Sequence, residues 1–262
     1  MQKHKKSHRE ELLLTQLKKR KWVSTHDAAK LLGVSECTVR RLFTDLERTG
    51  EAVRSYGGIK PVDDGERIEY VFDSSQMVST DEKRRIGERG SRLVESGDIF
   101  YIDNGTTMQQ MALSLVKRLN RKELRNIQVY TNSLKNLTIL SKYCDVNLVG
   151  GLFREHRQDF CGHLSEQILG TVSFRKCFLG ADGVDFDADD IMATDIFTAR
   201  INEIVAERAA SVCLLADSSK FTRRSFIRYA DIGQVNMVIT DRQLDQVLVE
   251  KLLAQGCHVE LV

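Results

Sequence analysis

Ala29, Gly33 and Val39 constrain the fold of this chain more than any other feature. A small residue on one helix, a glycine four positions on and a branched apolar anchor six beyond that are what two short helices need to cross closely through a tight turn, because glycine takes the left-handed conformation that other residues resist. The flanking residues agree. Leu12, Leu13, Leu14 and Leu17 make one apolar face of a helix over about 7–19, and Val23 leads into the helix start Ser24-Thr25-His26-Asp27. A second helix is predicted over 26–32, ending at Gly33. Ser35 is a good N-cap for a third helix over 36–49, whose Val39, Leu42, Phe43 and Leu46 fall at i, i+3, i+4 and i+7. The motif is a helix-turn-helix.

With Val39, Phe43 and Leu46 turned inward, Ser35, Glu36, Cys37, Thr38, Arg40, Arg41 and Thr44 face outward around the start of the third helix. In such motifs this surface reaches base edges and phosphates, and arginine can grip guanine bidentately. Arg40 and Arg41 are the first choices. Residues 52–60 then place two extended runs around Gly57-Gly58, which predicts a β-hairpin, or wing. Arg54 and Lys60 would add phosphate contacts there, and Tyr56 either joins them or packs under the turn.

Charge separates this segment from the rest. Residues 1–60 hold 14 Lys and Arg against 7 Asp and Glu, whereas the whole chain of 262 residues has a net charge of only +2, so the remainder is net acidic. A basic module joined to an acidic one is the footprint of a polyanion partner for one module only. The sole proline, Pro61, opens a linker predicted over 61–78, followed by a second domain over 79–262. A 42% share of hydrophobic residues excludes a disordered chain. No run approaches a membrane span and the basic N-terminus lacks a signal peptide's apolar stretch, so the expected location is the cytoplasm, with no membrane partner. The six cysteines are scattered without ligand spacing, and neither a disulfide framework, a metal nor a cofactor is expected. His4 and His8 stand at i, i+4 among lysines of the terminus, and Trp22 is expected where the first helix meets the second.

In the second domain Ser79-Thr80-Asp81-Glu82 predicts a capping box, opening a helix that ends near Ser96-Gly97. Short apolar runs then alternate with helical segments, at 99–102, 128–130, 146–149, 176–179, 212–216, 237–239 and 258–261, which argues for a mostly parallel α/β sheet covered on both faces. In such sheets the ligand crevice lies outside the carboxyl ends of the strands. Small or polar clusters stand at these ends: Asp103-Asn104-Gly105-Thr106-Thr107, Thr131-Asn132-Ser133, Gly150-Gly151, Gly180-Ala181-Asp182-Gly183, Asp217-Ser218-Ser219-Lys220 and Thr240-Asp241. The backbone of Gly105, Thr106 and Thr107 opens a helix and suits a phosphate. Arg154 and Lys220 could balance its charge, and Asp103, Asn132 and Asp182 could bind sugar hydroxyls.

From about Arg9 to Gly58 the chain resembles the DeoR-type winged helix-turn-helix regulators, through Val23-Ser24, Ala28-Ala29, Leu32-Gly33-Val34-Ser35, Thr38-Val39-Arg40-Arg41, Leu46-Glu47 and Tyr56-Gly57-Gly58. The remainder resembles the sugar-phosphate sensor domain of the same family, through the clusters at 103–107, 131–133, 150–151 with Arg154, 180–183 and 215–221. The resemblance implies a Rossmann-like sensor similar to sugar-phosphate isomerases, and a homo-oligomeric, non-enzymatic repressor of a carbohydrate operon that answers to a phosphorylated sugar or sugar acid. Two departures stand out. Leu42 replaces a usual aspartate, and Thr198 and Asn202 replace the Glu and Lys of a Glu-Ala-x-x-Lys segment. Two other readings stay open: an isomerase- or deaminase-like enzyme using Asp103, Asp182 or Lys220, and a DNA binder that has lost its effector response.

Overall fold

The computed structural model describes residues 9–10, 12–17, 20, 22–48, 52–55, 57–61 and 79–262. The chain divides into two compact units between residues 69 and 70. Among the described residues no helix is long and apolar enough to cross a membrane.

In the smaller unit, helical residues 12–17 precede strand β1 (Val23–Ser24), helix α1 (Thr25–Leu32), helix α2 (Glu36–Arg48) and strands β2 (Ala52–Ser55) and β3 (Gly58–Pro61). The Ser24 side chain accepts the Asp27 N–H at 2.9 Å, capping α1. Gly33 ends α1 at φ 62°, ψ 39°, and Ser35 Oγ caps α2 by accepting the Thr38 N–H at 3.3 Å. Strands β2 and β3 pair antiparallel with Val53 opposite Lys60, and β1 adds to β3, which completes the wing. Leu13, Leu17, Val39, Phe43, Leu46 and Ile59 are buried in one cluster, whereas Leu12 is 41% exposed and leaves the apolar face predicted for it. Trp22, between the first helical residues and α1, is 44% exposed. Its ring lies on Gly58, where a Cβ would come within 2.8 Å of it, so the wing needs glycine there to let the indole approach.

Leu42, only 6% exposed, belongs to the same cluster. The departure at this position is therefore an added core contact and not a gap in the exposed face. Tyr56, His4, His8 and all of the linker beyond Pro61 lie outside the described residues.

The larger unit is built on a parallel sheet of seven strands in the order β15-β14-β12-β9-β4-β5-β6. In chain order these are β4 (Ile99–Ile102), β5 (Gln128–Thr131), β6 (Asp145–Leu148), β9 (Lys176–Leu179), β12 (Val212–Leu215), β14 (Met237–Thr240) and β15 (His258–Leu261). All seven were anticipated, and the alternation along them sorts side chains to two faces. Phe100, Ile102, Phe178, Cys213 and Leu215 join Ile86, Met108 and Met111 in one cluster. Tyr101, Cys177, Leu179, Val212 and Leu214 join residues of another helix in a second. This double-sided burial makes each strand read as a short apolar run.

Smaller antiparallel pieces were not anticipated: a hairpin of β7 (Leu152–Arg154) and β8 (Asp159–Cys161), and a sheet of β10 (Gly183–Asp185), β11 (Asp190–Ala193) and β13 (Ile227–Asp231). Helix α3 (Thr80–Ser91) also differs from expectation. Ser79 is left-handed at φ 50° and makes no side-chain cap, so the capping box does not form. The helix stops at Ser91, well short of Gly97, because the Arg118 guanidinium takes the Ser91 and Val94 carbonyls as hydrogen-bond acceptors. Helices α4 (Thr106–Asn120), α5 (Leu134–Leu140), α6 (His163–Thr171), α7 (Ile196–Arg208) and α8 (Gln246–Ala254) complete the unit. Four of the six cysteines, Cys161, Cys177, Cys213 and Cys257, are buried and reduced.

Candidate nucleic-acid interface and ligand cavity

On α2 the residues Glu36, Cys37, Thr38, Arg40 and Arg41 are exposed, with Ser35 just before them. Glu36 stands 3.8 Å from Arg40 and 3.6 Å from His26, contacts that solvent weakens. Among the described residues no hydrogen bond or ion pair holds Arg41, which leaves its five donors for another partner. Thr44 and Arg54 are differently used. Thr44 is half-buried and donates to the Arg40 carbonyl at 2.9 Å, while Arg54 reaches Thr44 at 3.4 Å and its N–H donates to Glu47 at 3.3 Å. These bonds brace the wing against α2. Lys60 is half-buried opposite Val53 on the wing.

In the larger unit a cavity opens at the carboxyl ends of the central strands. Of the predicted ligand residues, Asp103, Gly105, Thr106, Thr107, Asp182 and Lys220 line it. Gly105, at φ 103°, begins α4 without any side-chain cap, and the first bond of the helix runs from the Gln109 N–H to the Gly105 carbonyl at 3.0 Å. The amides of Thr106, Thr107 and Met108 precede that bond, so the positive end of α4 stands at the cavity wall.

Two lysines join it there: Lys220, in a short 3-10 turn over Ser218–Lys220, and Lys83 from α3. Burial lowers the Lys83 pKa to about 8, against the pull of Asp217 and with the further push of Lys220 and Arg223. Burial and the neighbouring Arg223 also lower that of Lys220. Two ammonium groups held below their usual range would both be restored by an anion.

Asp103 marks the opposite character. Its Oδ1 accepts the Asn104 N–H at 2.7 Å, and its Oδ2 accepts the Gly180 N–H and the Asn202 Nδ2–H, each at 3.2 Å. Burial nevertheless raises its pKa to about 7, and these bonds with Arg157 nearby offset only part of that cost. Asp182 Oδ2 accepts both the N–H and the hydroxyl of Thr194, at 2.9 and 3.0 Å.

Five other predicted residues do not line the cavity. Thr131 is fully buried with Oγ1 accepting the Ser133 N–H, and Asn132 accepts from the Tyr101 hydroxyl at 2.9 Å while donating to the Phe160 carbonyl at 3.0 Å. Asn132 is buried and held by these two bonds away from the cavity lining. The Gly150 carbonyl accepts the Ser165 hydroxyl, and a Cβ at Gly151 would lie 2.5 Å from the Cys161 carbonyl, so this pair serves close packing of the β7–β8 hairpin.

Arg154 binds Asp159 twice, at 2.8 and 2.6 Å, Asp195 at 2.7 Å and Thr198 at 3.0 Å. It neutralises buried carboxylates and has no charge to lend. Arg157, three residues on, lines the cavity instead, held to Asp195 at 3.1 Å. Lys83, Arg157, Thr198 and Asn202 are the lining residues that strand-end reasoning missed. The departures at 198 and 202 were the signal that pointed to this place.

The described residues thus bring together an exposed basic helix in one unit and, in the other, a cavity lined by cationic groups and by hydrogen-bond acceptors. Comparison with known proteins gives both units a family. Residues 9–64 match the DeoR-like helix-turn-helix domain and residues 78–242 the DeoR C-terminal sensor domain. The chain is 30% identical to the lactose phosphotransferase system repressor of Streptococcus mutans, over 98% of this chain and 99% of that protein. It is 31% identical to the HTH-type transcriptional regulator GlpR of Haloferax volcanii, over 87% of each. Among solved structures, ribose 5-phosphate isomerase A of Methanocaldococcus jannaschii aligns with a TM-score of 0.41 at 18% identity, over 54% of each chain. With a winged helix-turn-helix and a sensor domain both in place, the chain belongs to the DeoR family of DNA-binding transcription regulators.

Proposed function

We propose that this regulator is a cytoplasmic repressor of a sugar-related operon, that it works as a symmetric oligomer, and that a phosphorylated sugar in the cavity alters its grip on the operator. The observation that carries the effector reading is the convergence of the uncapped α4 N-terminus with Lys83 and Lys220 on one cavity wall. Backbone amides at a helix start and two partly desolvated ammonium groups are what a phosphate ester needs. Calorimetry with phosphorylated and unphosphorylated forms of the same sugars tests it. The phosphorylated form should bind more tightly, and Lys220→Met should remove about 1 to 3 kcal/mol of that preference. A preference for the unphosphorylated sugar would refute the placement.

Operator binding rests on α2. Ser35, Glu36, Thr38, Arg40 and Arg41 would lie against the major groove, with Thr44, Arg54, Tyr56 and Lys60 supporting the approach of the wing to phosphates. Log affinity should fall linearly with log salt, by ~0.9 per phosphate contact. Arg41→Ala should cost about 1 to 3 kcal/mol and relax specificity, and the footprint should span two half-sites. A gel-shift titration that finds no duplex binding at low salt would end this reading. By linkage, ligand and operator change each other's affinity by one common factor, typically ~1 to 3 kcal/mol.

A turnover reading draws support from Asp103, whose pKa of about 7 suits proton transfer. Product formation from any sugar phosphate that binds would favour it over regulation alone.

A further inference from the structure

Asn202, on α7, is 1% exposed and lines the cavity. Its Nδ2 donates to Asp103, but its Oδ1 is buried without a hydrogen-bond partner among the described residues. A buried carbonyl left unpaired is costly, and native sites rarely keep one that no ligand answers. The donors of two neighbouring threonines are already committed. The Thr198 hydroxyl donates to Asp195 at 2.8 Å, and the Thr194 N–H and hydroxyl both go to Asp182. Asn202 Oδ1 and ionised Asp103 are therefore side-by-side groups that can only accept. A second carboxylate placed here would meet lone pairs and, with Asp103 ionised, a like charge, against the nearby cation Arg157, which already pairs with Asp195 at 3.1 Å.

We propose that Asn202 is a specificity-determining residue of the cavity, its side-chain carbonyl accepting a hydroxyl of the effector beside Asp103, so that the group bound there is the hydroxyl of a neutral polyol and not the carboxylate of a sugar acid. This rests on the sugar-phosphate reading above and narrows it. The like charge of a sugar acid would also oppose ionisation of Asp103, whose pKa already stands at about 7.

The experiment is calorimetry of the full chain with matched pairs that differ only in –CH2OH against –COO⁻: sorbitol phosphate with phosphogluconate, and glycerol phosphate with phosphoglycerate. Wild type should bind the alditol ester about tenfold or more tightly than its acid. Asn202→Leu should lose most of that ratio, and Asn202→Lys, which puts an ammonium in place of the acceptor, should reverse it. Inorganic phosphate reports on the phosphate site alone: Asn202→Leu adds no charge and should change its binding far less than it changes the ester ratio, whereas the ammonium of Asn202→Lys should tighten it. Equal or tighter binding of the acids to wild type, or an unchanged ratio in Asn202→Leu, overturns the proposal. If phosphate binds but the esters are not discriminated, only this inference fails. If neither phosphate nor any ester binds, the phosphate reading fails with it.

Discussion

Arg154→Met is expected to destabilise the sensor domain by about 3 to 5 kcal/mol, because it strips a buried ion cluster of its main cation. Asp159 is fully buried and takes two of the Arg154 bonds, and Asp195 takes a third. Arg157 stays within 3.8 Å of Asp159 and 3.1 Å of Asp195, so the carboxylates are not wholly abandoned, but one guanidinium cannot serve both as two did. Urea unfolding checks this on two signals. The only tryptophan, Trp22, lies in the smaller unit, so its fluorescence follows that unit while far-UV circular dichroism is dominated by the larger one. The circular dichroism transition should move and the fluorescence transition should not. If stability changes by under about 1 kcal/mol while ligand affinity collapses, Arg154 belongs to the effector and the structural account of it is wrong.

Folding stability of the ligand-free wild type should fall by about 2 to 3 kcal/mol more than that of Asp103→Asn between pH 5 and pH 8. The Asp103 carboxyl has its pKa raised from 3.8 to about 7 in the folded chain, so the folded state holds this proton where the unfolded state has released it. The stabilisation is complete below the unfolded pKa and is lost as pH rises through about 7. Lys83 does not mask the effect. Its pKa is lowered from 10.5 to about 8, so its own contribution begins to change only at the upper edge of that window, and it is common to both proteins. Urea midpoints at pH 5, 6, 7 and 8 for the two proteins are the measurement, and parallel curves would show that Asp103 titrates normally.

Where pattern and local chemistry coincide, the chain was legible without coordinates. Gly33, Ser35 and the i, i+3, i+4, i+7 spacing of Val39, Leu42, Phe43 and Leu46 act within a few residues of one another, and the two helices form where that spacing puts them. The seven strands of the main sheet were legible because both faces are covered, which leaves runs such as Val212–Leu215 wholly apolar. The hairpin of β7 and β8 was not, since Asp159-Phe160-Cys161 carries a buried carboxylate that is satisfied by Arg154 and by Asn104 from a distant strand end. Tertiary contact also overruled local signals at two points. Ser79 offered a capping box but took a left-handed conformation, and α3 ended where Arg118 reached its carbonyls.

The sequence alone determined that one module is basic and the other acidic, which helix faces outward, and that Asp103, the Gly105–Thr107 turn, Asp182 and Lys220 stand at strand ends on the ligand side. Only the tertiary structure decided which charges are spent and which are offered. Arg154 and Arg157 are three residues apart with the same chemistry and both pair with Asp159 and Asp195, yet only the second lines the cavity. Lys83 and Asn202 reach that cavity from helices far off in the chain. The reason is physical. Periodic burial is a property of neighbouring residues, whereas the partner of a charge or of a buried carbonyl is set by whichever distant element the fold brings within about 3 Å of it.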